Sequence, residues 1–243
     1  MNTETLNKLL KINQDFYNGY AKSFSTSRYS IQPGIKKLFP NLLKSESILD
    51  LGCGNGNLAK VLVQEGFKGR YLGVDNSPAL LNDGFATIPE AEREHFNFQQ
   101  VDLAKDFNFL ANHAPFGAIV SFAVIHHFPA EPYLERFFSF AAQNLHPDGI
   151  FAFSCWQVKN SSRHQNRILP WSTLDIDQNE LSLDDLLLDW RADPKQNALY
   201  RYVHHYTEDV LDEVGNKSGL TKSRQYFSDG KEGDLALYHV WKK

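Results

Sequence analysis

Three aspartates of this chain lie where their side chains could bind a nucleoside. Asp50, Asp75 and Asp102 are at or near the ends of apolar, strand-forming runs. The carboxyl ends of parallel strands meet at one edge of a sheet, which is where ligands bind in open α/β folds. Asp75 lies about 20 residues beyond a glycine loop, the spacing at which an acidic side chain accepts hydrogen bonds from a ribose diol.

That glycine loop, residues 52–56, reads GCGNG and follows the first of these strands. Three glycines within five residues let the backbone turn sharply and let a ligand come close. A dinucleotide site requires a third glycine at the position of Asn57, and Asp50 would disfavour a pyrophosphate while suiting a cationic ligand. A nicotinamide-dependent oxidoreductase is therefore disfavoured, and a turn without a ligand remains the alternative.

Two adjacent histidines, His126 and His127, follow the fourth apolar run. They can act as a base, orient a substrate, or serve only to cap the next helix. They do not form a metal site, because neighbours on an irregular segment rarely chelate one ion together and no local Cys, Asp or Glu completes a set. The sequence leaves the functional and the structural interpretation of this pair open.

Residues 1–44 are expected to form a helical lid. Apolar residues recur at helical spacing from Leu6 to Phe16, and residues 16–30 are rich in Tyr, Phe, Ser and Gly. An arginine beside aromatic residues could clamp a carboxylate through two hydrogen bonds. The alternative is that the aromatic residues only pack the helix onto the core. The candidates for the lid are Tyr17, Tyr20, Phe24 and Arg28.

Strand-like and helical patterns alternate along the first two thirds of the chain. Five apolar runs separated by helices predict a doubly wound parallel sheet, with a turn at residues 146–149 before the fifth strand. Residues 221–227 and 235–241 alternate like two further strands joined by a polar turn. The sequence therefore predicts a single α/β domain, residues 1–243, with a mostly parallel seven-stranded sheet.

An insertion after the fifth strand, residues 156–206, interrupts this alternation. It is too long and too polar for a simple crossover, and its residues 159–167 are expected to form a mobile loop. Insertions after a strand end are where a shared scaffold acquires specificity. This insertion is therefore expected to cover the substrate site.

The composition limits the classes of protein to consider. A chain of 243 residues with 42% hydrophobic residues can bury a core, and no apolar run reaches the length of a membrane span. Its two cysteines, Cys53 and Cys155, follow strand-like runs and are expected to be buried thiols in a reducing cytoplasm. The net charge of −4 argues against binding nucleic acid by bulk electrostatics.

The glycine loop with its preceding and following aspartates resembles the first motif of the class I S-adenosylmethionine-dependent methyltransferases. The resemblance implies a Rossmann-like sheet with a reversed C-terminal strand, which the terminal hairpin fits. It implies S-adenosyl-L-methionine as cofactor, with the glycine loop around the methionine part and Asp102 at the adenine amino group. The implied cofactor-binding residues are Tyr20, Asp50, Gly52, Cys53, Gly54, Asn57, Asp75, Asn76, Asp102, Leu103 and Phe122.

Several shorter pieces are similar to the family that methylates the carboxymethyl group on the wobble uridine of tRNA. They read FYNGYAKSFSTSR, SFAVIHHF, LPW and RYVHHY, and together they span nearly the whole chain. The resemblance implies an acceptor carboxylate near four catalytic candidates, and its eukaryotic members use a small activating subunit. These candidates are Arg28, His126, His127 and Arg201.

The acceptor stays open between tRNA and a small molecule. From Cys155 onward, 12 Lys and Arg stand against 14 Asp and Glu, a net of −2, whereas a tRNA enzyme should show a cationic surface unless a partner supplies it. Methyl transfer from a sulfonium is an in-line displacement that alignment promotes. A carboxylate acceptor needs no base, whereas an amine or phenol would use His126 or His127. A module that binds the cofactor without turnover is a further alternative.

Overall fold

Helices and strands alternate through the first part of the chain. The computed structural model describes residues 1–27, 30–110, 115–129, 131–190 and 199–243, with only the backbone of residues 20–27 and 131. The predictions for Tyr20, Phe24 and Arg28 therefore lie outside the described side chains. The elements of this part are α1 (Thr3–Ser27), α2 (Pro33–Lys36), α3 (Phe39–Leu42), β1 (Ser47–Leu51), α4 (Asn57–Gln64), β2 (Arg70–Asp75), α5 (Pro78–Ala86), β3 (Phe96–Gln100), β4 (Phe116–Phe122), α6 (Glu131–Asn144) and β5 (Leu145–Trp156).

The second part adds a small sheet and then completes the large one. Short 3-10 turns occur at Glu90–Glu92, Ile125–His127, Val158–Asn160, Trp171–Leu174 and Gln178–Glu180. The remaining elements are α7 (Ser162–Gln165), β6 (Ile168–Leu169), β7 (Asp185–Trp190), β8 (Leu199–His204), α8 (Glu208–Lys217), β9 (Thr221–Ser228) and β10 (Ala236–Lys242).

The large sheet has seven strands in the order β3-β2-β1-β4-β5-β10-β9. The pairs β1/β2, β2/β3, β1/β4 and β4/β5 are parallel, whereas β10 is antiparallel to both β5 and β9. The strand order reverses between β1 and β4, so the loops at their carboxyl ends diverge and leave a crevice. The predicted fold class and its reversed final strand are confirmed.

The fifth strand is longer than the sequence predicted. Residues 146–149, expected to form a turn, belong to β5, and the pairing register shifts where Phe116 faces Leu145 and Ala118 faces Ile150. The irregularity absorbs the extra residues while the strand keeps its pairing on both sides of it.

Hydrophobic side chains cover both faces of the sheet, because successive residues of a strand point to opposite sides. On one face Ile48 packs with Leu58 and Leu62 of α4. On the other face Leu49 belongs to the cluster that includes Phe138 of α6 and Leu211 of α8. The sheet is thus fixed on both sides, and its carboxyl edge holds the loops in place.

The insertion is folded rather than loop-like in its described part. Strands β6, β7 and β8 form an antiparallel three-stranded sheet. The segment 159–167, which the sequence suggested was a mobile loop, contains the helix α7 and part of a 3-10 turn. The short β6 and the long connection between β6 and β7 explain why no strand periodicity was evident in the sequence.

Helix α1 packs on this insertion. Leu9 is fully buried in a cluster with Trp171, Ile176, Leu187 and Tyr202. The N-terminal helix and the insertion therefore form one layer above the carboxyl edge of the large sheet. Within the described part of the chain, no helix is both long enough and apolar enough to span a membrane.

Candidate functional site

A cavity of about 350 Å³ opens at the carboxyl edge of β1, β2 and β4. Its floor comes from the glycine loop and from the turns that follow β2, β3 and β4. Its opposite wall comes from α1, through residues 7–18, and from residues 30–35. The cavity therefore lies at the reversal of strand order, between the sheet and the N-terminal layer.

The predicted cofactor contacts meet at this cavity. Every one of them whose side chain is described lines it, and Tyr20 is outside the described side chains. The roles of these residues stay predictions. Their common location agrees with the expectation that the carboxyl ends of parallel strands meet at one edge of the sheet. The lining residues among them are Asp50, Gly52, Cys53, Gly54, Asn57, Asp75, Asn76, Asp102, Leu103 and Phe122.

The glycine loop adopts a backbone that favours glycine. Gly52, Gly54 and Gly56 have φ values of 78°, 55° and 66°. A Cβ on Gly52 would lie 2.4 Å from Cγ2 of Val124, too close for any real contact. The amides of Gly52 and Cys53 both donate to the carbonyl of Val74, at 2.8 and 3.0 Å, so the loop is tied to β2.

Asp50 is buried beneath the loop, with a relative exposure of 4%. The hydroxyl of Tyr71 donates to its Oδ2 at 2.6 Å. Burial raises the pKa of Asp50 to about 7; the Tyr71 hydrogen bond acts in the opposite direction, and the nearby Asp75 adds to the rise. A buried carboxylate of this kind gains most from a positive charge placed beside it.

Asp75 connects the loop to the next helix. Its Oδ2 accepts a hydrogen bond from the amide of Gly54 and its Oδ1 accepts one from the amide of Ser77, both at 2.9 Å. Burial raises its pKa, and these amides offset part of the rise. Each carboxylate oxygen can accept more than one hydrogen bond, so Asp75 keeps the capacity to bind a diol. Asp102, at the far side, forms an ion pair with Lys105 at 3.0 Å.

A tyrosine and a histidine meet at the opposite wall. The hydroxyl of Tyr17 lies 2.7 Å from Nε2 of His127, and both residues line the cavity. Nδ1 of His127 lies 3.1 Å from the carbonyl oxygen of Tyr202. Because a carbonyl only accepts, Nδ1 carries the hydrogen, and in the neutral imidazole Nε2 accepts from Tyr17. The β8 backbone thus sets the orientation of the histidine.

Asn13 holds this wall together from α1. Its side-chain amide donates to the carbonyls of His127 and Tyr202, at 3.0 and 3.1 Å, and its oxygen accepts from the amide of Tyr202 at 3.0 Å. The residue is buried and pairs with Tyr202 much as a neighbouring strand would. Helix α1, the turn after β4 and β8 are therefore fixed to one another at the cavity.

A family model described as a methyltransferase domain matches residues 24–224 of the chain, which is most of its length. The chain belongs to this family. The matched residues include the glycine loop, Asp50, Asp75, Asp102 and the insertion. All residues that form the cavity floor therefore lie within the matched domain. The prediction of a class I methyltransferase is confirmed.

Two curated relatives carry names that concern tRNA. "Probable tRNA methyltransferase 9B" of Bos taurus is 25% identical over 161 residues, which are 65% of this chain and 32% of that protein. "tRNA (carboxymethyluridine(34)-5-O)-methyltransferase ALKBH8" of Mus musculus is 25% identical over 168 residues, 67% of this chain and 23% of that protein. The match thus spans about a third or less of either relative.

Solved structures share the fold of this methyltransferase-domain chain. A structure described as an S-adenosylmethionine-dependent methyltransferase from Clostridium acetobutylicum superposes with a TM-score of 0.63 at 16% identity. The superposition covers 94% of this chain and 98% of that one. At this identity the likeness shows the fold, and its description agrees with the cofactor predicted from the glycine loop.

The cavity fits S-adenosylmethionine in size and in donor set. Small-molecule sites range over roughly 300–1,000 Å³, and this cavity lies within that range. The predicted roles on its floor are a buried carboxylate for a cation at Asp50, a carboxylate for a diol at Asp75, and an acceptor for an amino group at Asp102. Asp50 is the fourth of the five residues of β1, Asp75 is the last residue of β2, and Asp102 lies just after β3.

Two predicted catalytic residues of the methyltransferase lie behind the cavity wall. His126 is fully buried, its ring stacks on Trp156, and its Nδ1 accepts from the Trp156 amide at 3.1 Å. The Arg201 guanidinium lies 4.6, 4.6 and 4.7 Å from the rings of Phe16, Trp156 and Trp190. Neither residue is among those that line the cavity in the described structure. Their positions support structural roles, and their contact with an acceptor stays a prediction.

Sequence reasoning did not identify three residues of the site. Tyr71 supports Asp50, Asn13 joins the wall, and Ala123 lines the cavity with a φ of 57°, which is unusual for a residue with a side chain. A buried tyrosine requires a partner for its hydroxyl, and an asparagine among the apolar positions of α1 requires one too. The sequence therefore contained a signal for Tyr71 and for Asn13, whereas nothing in the sequence indicates the backbone conformation of Ala123.

Proposed function

We propose that this chain transfers the methyl group of S-adenosylmethionine to a carboxylate oxygen, with carboxymethyluridine of tRNA as the acceptor. The observation that carries the proposal is that a single cavity joins three strand-end aspartates to the Tyr17–His127 pair. The floor is suited to the cofactor, and the wall offers polar groups to a second molecule. The names of the two tRNA-related relatives support the choice of acceptor.

The chemistry requires alignment more than proton transfer. When bound, S-adenosylmethionine would supply a methyl group whose bond to sulfur breaks as the incoming oxygen bonds to the methyl carbon in line, leaving S-adenosylhomocysteine. A carboxylate is ionised at neutral pH and needs no base. The residues of the chain therefore have to place the carboxylate oxygen, exclude water and hold the acceptor still.

The Tyr17–His127 pair can hold a carboxylate when the imidazole is protonated. Nδ1 of His127 then still donates to Tyr202, and Nε2 donates to the oxygen of Tyr17. The hydroxyl hydrogen of Tyr17 is released toward the cavity, where it can donate to the acceptor. Charge-assisted hydrogen bonds of this kind fix both position and charge. The arginine clamp predicted from the sequence is thus replaced in this proposal by a tyrosine and a histidine, and Arg28 stays a prediction.

A small-molecule acceptor is the second candidate, favoured by the charge of the chain. The net charge is −4, and residues from Cys155 onward carry −2, which does not favour a large polyanion. A small activating subunit that supplies cationic surface would reconcile tRNA with this charge. That subunit, and cytoplasmic location, stay parts of the proposal.

The test is transfer of a radiolabelled methyl group from S-adenosylmethionine into tRNA and small-molecule fractions of a cell extract. We expect label in tRNA that mild alkali releases, because a methyl ester hydrolyses there. Label found only in small molecules would reject tRNA and keep the methyltransferase. Absence of label in both fractions, even with candidate partner proteins added, would favour a module that binds the cofactor without turnover.

The buried Asp50 makes a separate prediction about pH. Its pKa is raised to about 7, so below pH 7 the residue is mostly protonated and neutral. A cationic cofactor binds the ionised form better, so affinity should rise with pH and level off above pH 7. We expect S-adenosylmethionine to bind about tenfold more tightly at pH 8 than at pH 6, as measured by equilibrium binding at both values.

The control is Asp50→Asn, which keeps an oxygen for the Tyr71 hydroxyl and removes the titrating carboxyl. This variant should bind more weakly at pH 8 and lose most of the dependence on pH. The remainder would report on Asp75, whose pKa burial also raises. If the affinity of Asp50→Asn for S-adenosylmethionine changed with pH as steeply as that of the wild type, Asp50 would not be the residue that binds the cationic group.

A further inference from the structure

A cationic surface lies beside the cavity, formed by Lys37 and Arg224 around the ring of Tyr226 and by Lys36, the last residue of α2. The Lys37 ammonium is 4.9 Å and the Arg224 guanidinium carbon 4.6 Å from the centroid of this ring. Nη1 of Arg224 also donates to the backbone carbonyl of Lys37, at 3.4 Å. All three cations are exposed. We call this set the α2–β9 patch.

The cations of the patch are not neutralised by a carboxylate in the described structure. No ion pair joins Lys36, Lys37 or Arg224 to an acidic residue among the residues that the structure describes. Asp229 lies near the patch, but it accepts hydrogen bonds from the Gly34 amide at 2.9 Å and the Tyr238 hydroxyl at 2.6 Å. Elsewhere among the described residues, some lysines such as Lys44 and Lys60 also form no ion pair, whereas the following form one: Lys8, Lys11, Lys68, Lys105, Lys159, Lys217 and Lys222.

The two like charges held against one ring repel each other, and an anion bound between them would offset that repulsion. Strand β9 places Arg224 there through an irregularity: its register against β10 shifts between residues 222 and 224. Arg224 therefore lies beside Tyr226 and Lys37, whereas Lys222 pairs with Asp212 of α8. The fold thus concentrates positive charge at α2 rather than distributing it along the strand.

The patch and the cavity share a backbone segment. Gln32 and Ile35 line the cavity, and the hydroxyl of Tyr226 donates to the carbonyl of Gly34, between them, at 2.7 Å. A nucleotide that enters the cavity beside this segment would carry its neighbouring phosphates over α2. The chemistry of the patch, exposed cations around an aromatic ring, suits a nucleic-acid backbone.

We infer that the α2–β9 patch binds the phosphates of the RNA acceptor next to the nucleotide that is methylated. The inference rests on the proposed function and extends it with a surface for the acceptor. The net negative charge of the chain does not exclude such a surface. Lys37 and Arg224 are 187 positions apart in the sequence, so a count of charges along the chain does not show that they meet. A cationic site assembled in this way is compatible with a net negative chain.

The test measures binding of fluorescently labelled bulk tRNA to the full chain at several salt concentrations. The double variant Lys37→Gln/Arg224→Gln should bind about tenfold more weakly near 0.1 M salt, and the slope of log affinity against log salt should fall by roughly 1.5. The control Lys8→Gln/Lys68→Gln removes the same charge from lysines paired with glutamates and should change affinity less than about threefold. Both variants should bind S-adenosylhomocysteine as the wild type does.

The variant Lys37→Arg/Arg224→Lys keeps both charges and should retain the tRNA affinity and slope of the wild type. Unchanged tRNA binding by the glutamine variant, with methylation of tRNA by the wild type, would overturn the inference alone. Failure of Lys37→Arg/Arg224→Lys to bind tRNA would also overturn the inference, because tRNA affinity would then depend on the packing of these side chains and not on their charge. If the wild type neither binds nor methylates tRNA, both the inference and the tRNA acceptor are rejected.

Discussion

An Asp75→Ala variant is expected to bind S-adenosylhomocysteine at least about 100-fold more weakly than the wild-type chain, while remaining folded. The substitution removes two kinds of interaction at once. The ligand loses the carboxylate proposed to accept hydrogen bonds from its ribose hydroxyls. The glycine loop loses the oxygen that receives the Gly54 amide, and the helix that follows loses the one that receives the Ser77 amide.

The magnitude follows from the charge of the acceptor. A hydrogen bond to an ionised group contributes about 1.5–3 kcal/mol, and two such bonds to a ribose give roughly 3–4 kcal/mol when part of the loss is recovered by water. That range corresponds to about 100- to 1,000-fold in affinity. The loosened glycine loop weakens ligand binding further, because the backbone amides of the cavity floor would then lose conformational freedom when the ligand binds.

Isothermal titration calorimetry with S-adenosylhomocysteine measures this effect directly. The matched control is Asp148→Ala, which removes an exposed aspartate in β5, away from the cavity. The control should bind within about twofold of the wild type, and circular dichroism should show both variants folded. An Asp75→Ala variant that retains affinity within about threefold would show that the ribose is not held at the end of β2.

The position of this aspartate could be predicted from the sequence because the relevant contacts are local. Alternation of apolar runs and helices predicts a parallel sheet, and parallel strands bring their carboxyl ends to one edge. Asp50, Asp75 and Asp102 each lie at or near the end of such a run, so their meeting at one cavity required no knowledge of distant contacts. Alternation also predicted the two final strands and the polar turn between them, whereas the reversed direction of the last strand was implied by the resemblance to the class I methyltransferases.

The wall of the site could not be predicted in this way. Tyr17 and His127 are 110 residues apart, and their contact depends on how α1 docks onto the insertion. Periodicity shows that α1 has an apolar face but does not say what that face covers. Arg201 illustrates the same limit: the family resemblance implied that it lies near an acceptor carboxylate, whereas in β8 its guanidinium lies among three aromatic rings.

The second large effect is expected at this wall, where Tyr17→Phe should lower kcat about 100-fold and leave S-adenosylhomocysteine affinity unchanged. The substitution keeps the ring and removes the hydroxyl that is proposed to contact the acceptor. A single well-placed donor or proton-transfer group contributes about 10²-fold or more to turnover. The control Tyr133→Phe removes a hydroxyl from α6 while keeping the ring that stacks on Phe128.

The pH dependence of turnover then separates the two kinds of acceptor, because His127 decides which way the Tyr17 hydroxyl points. With a carboxylate acceptor the imidazole must be protonated, so kcat should fall as pH rises and the Tyr17 hydroxyl turns back to Nε2. With an amine or phenol acceptor the reverse holds: the acceptor proton passes to Tyr17, the Tyr17 proton passes to His127, and kcat rises with pH. Tyr17→Phe should remove this dependence in either case. A Tyr17→Phe variant with the kcat and the pH profile of the wild type would show that the acceptor is held elsewhere in the cavity.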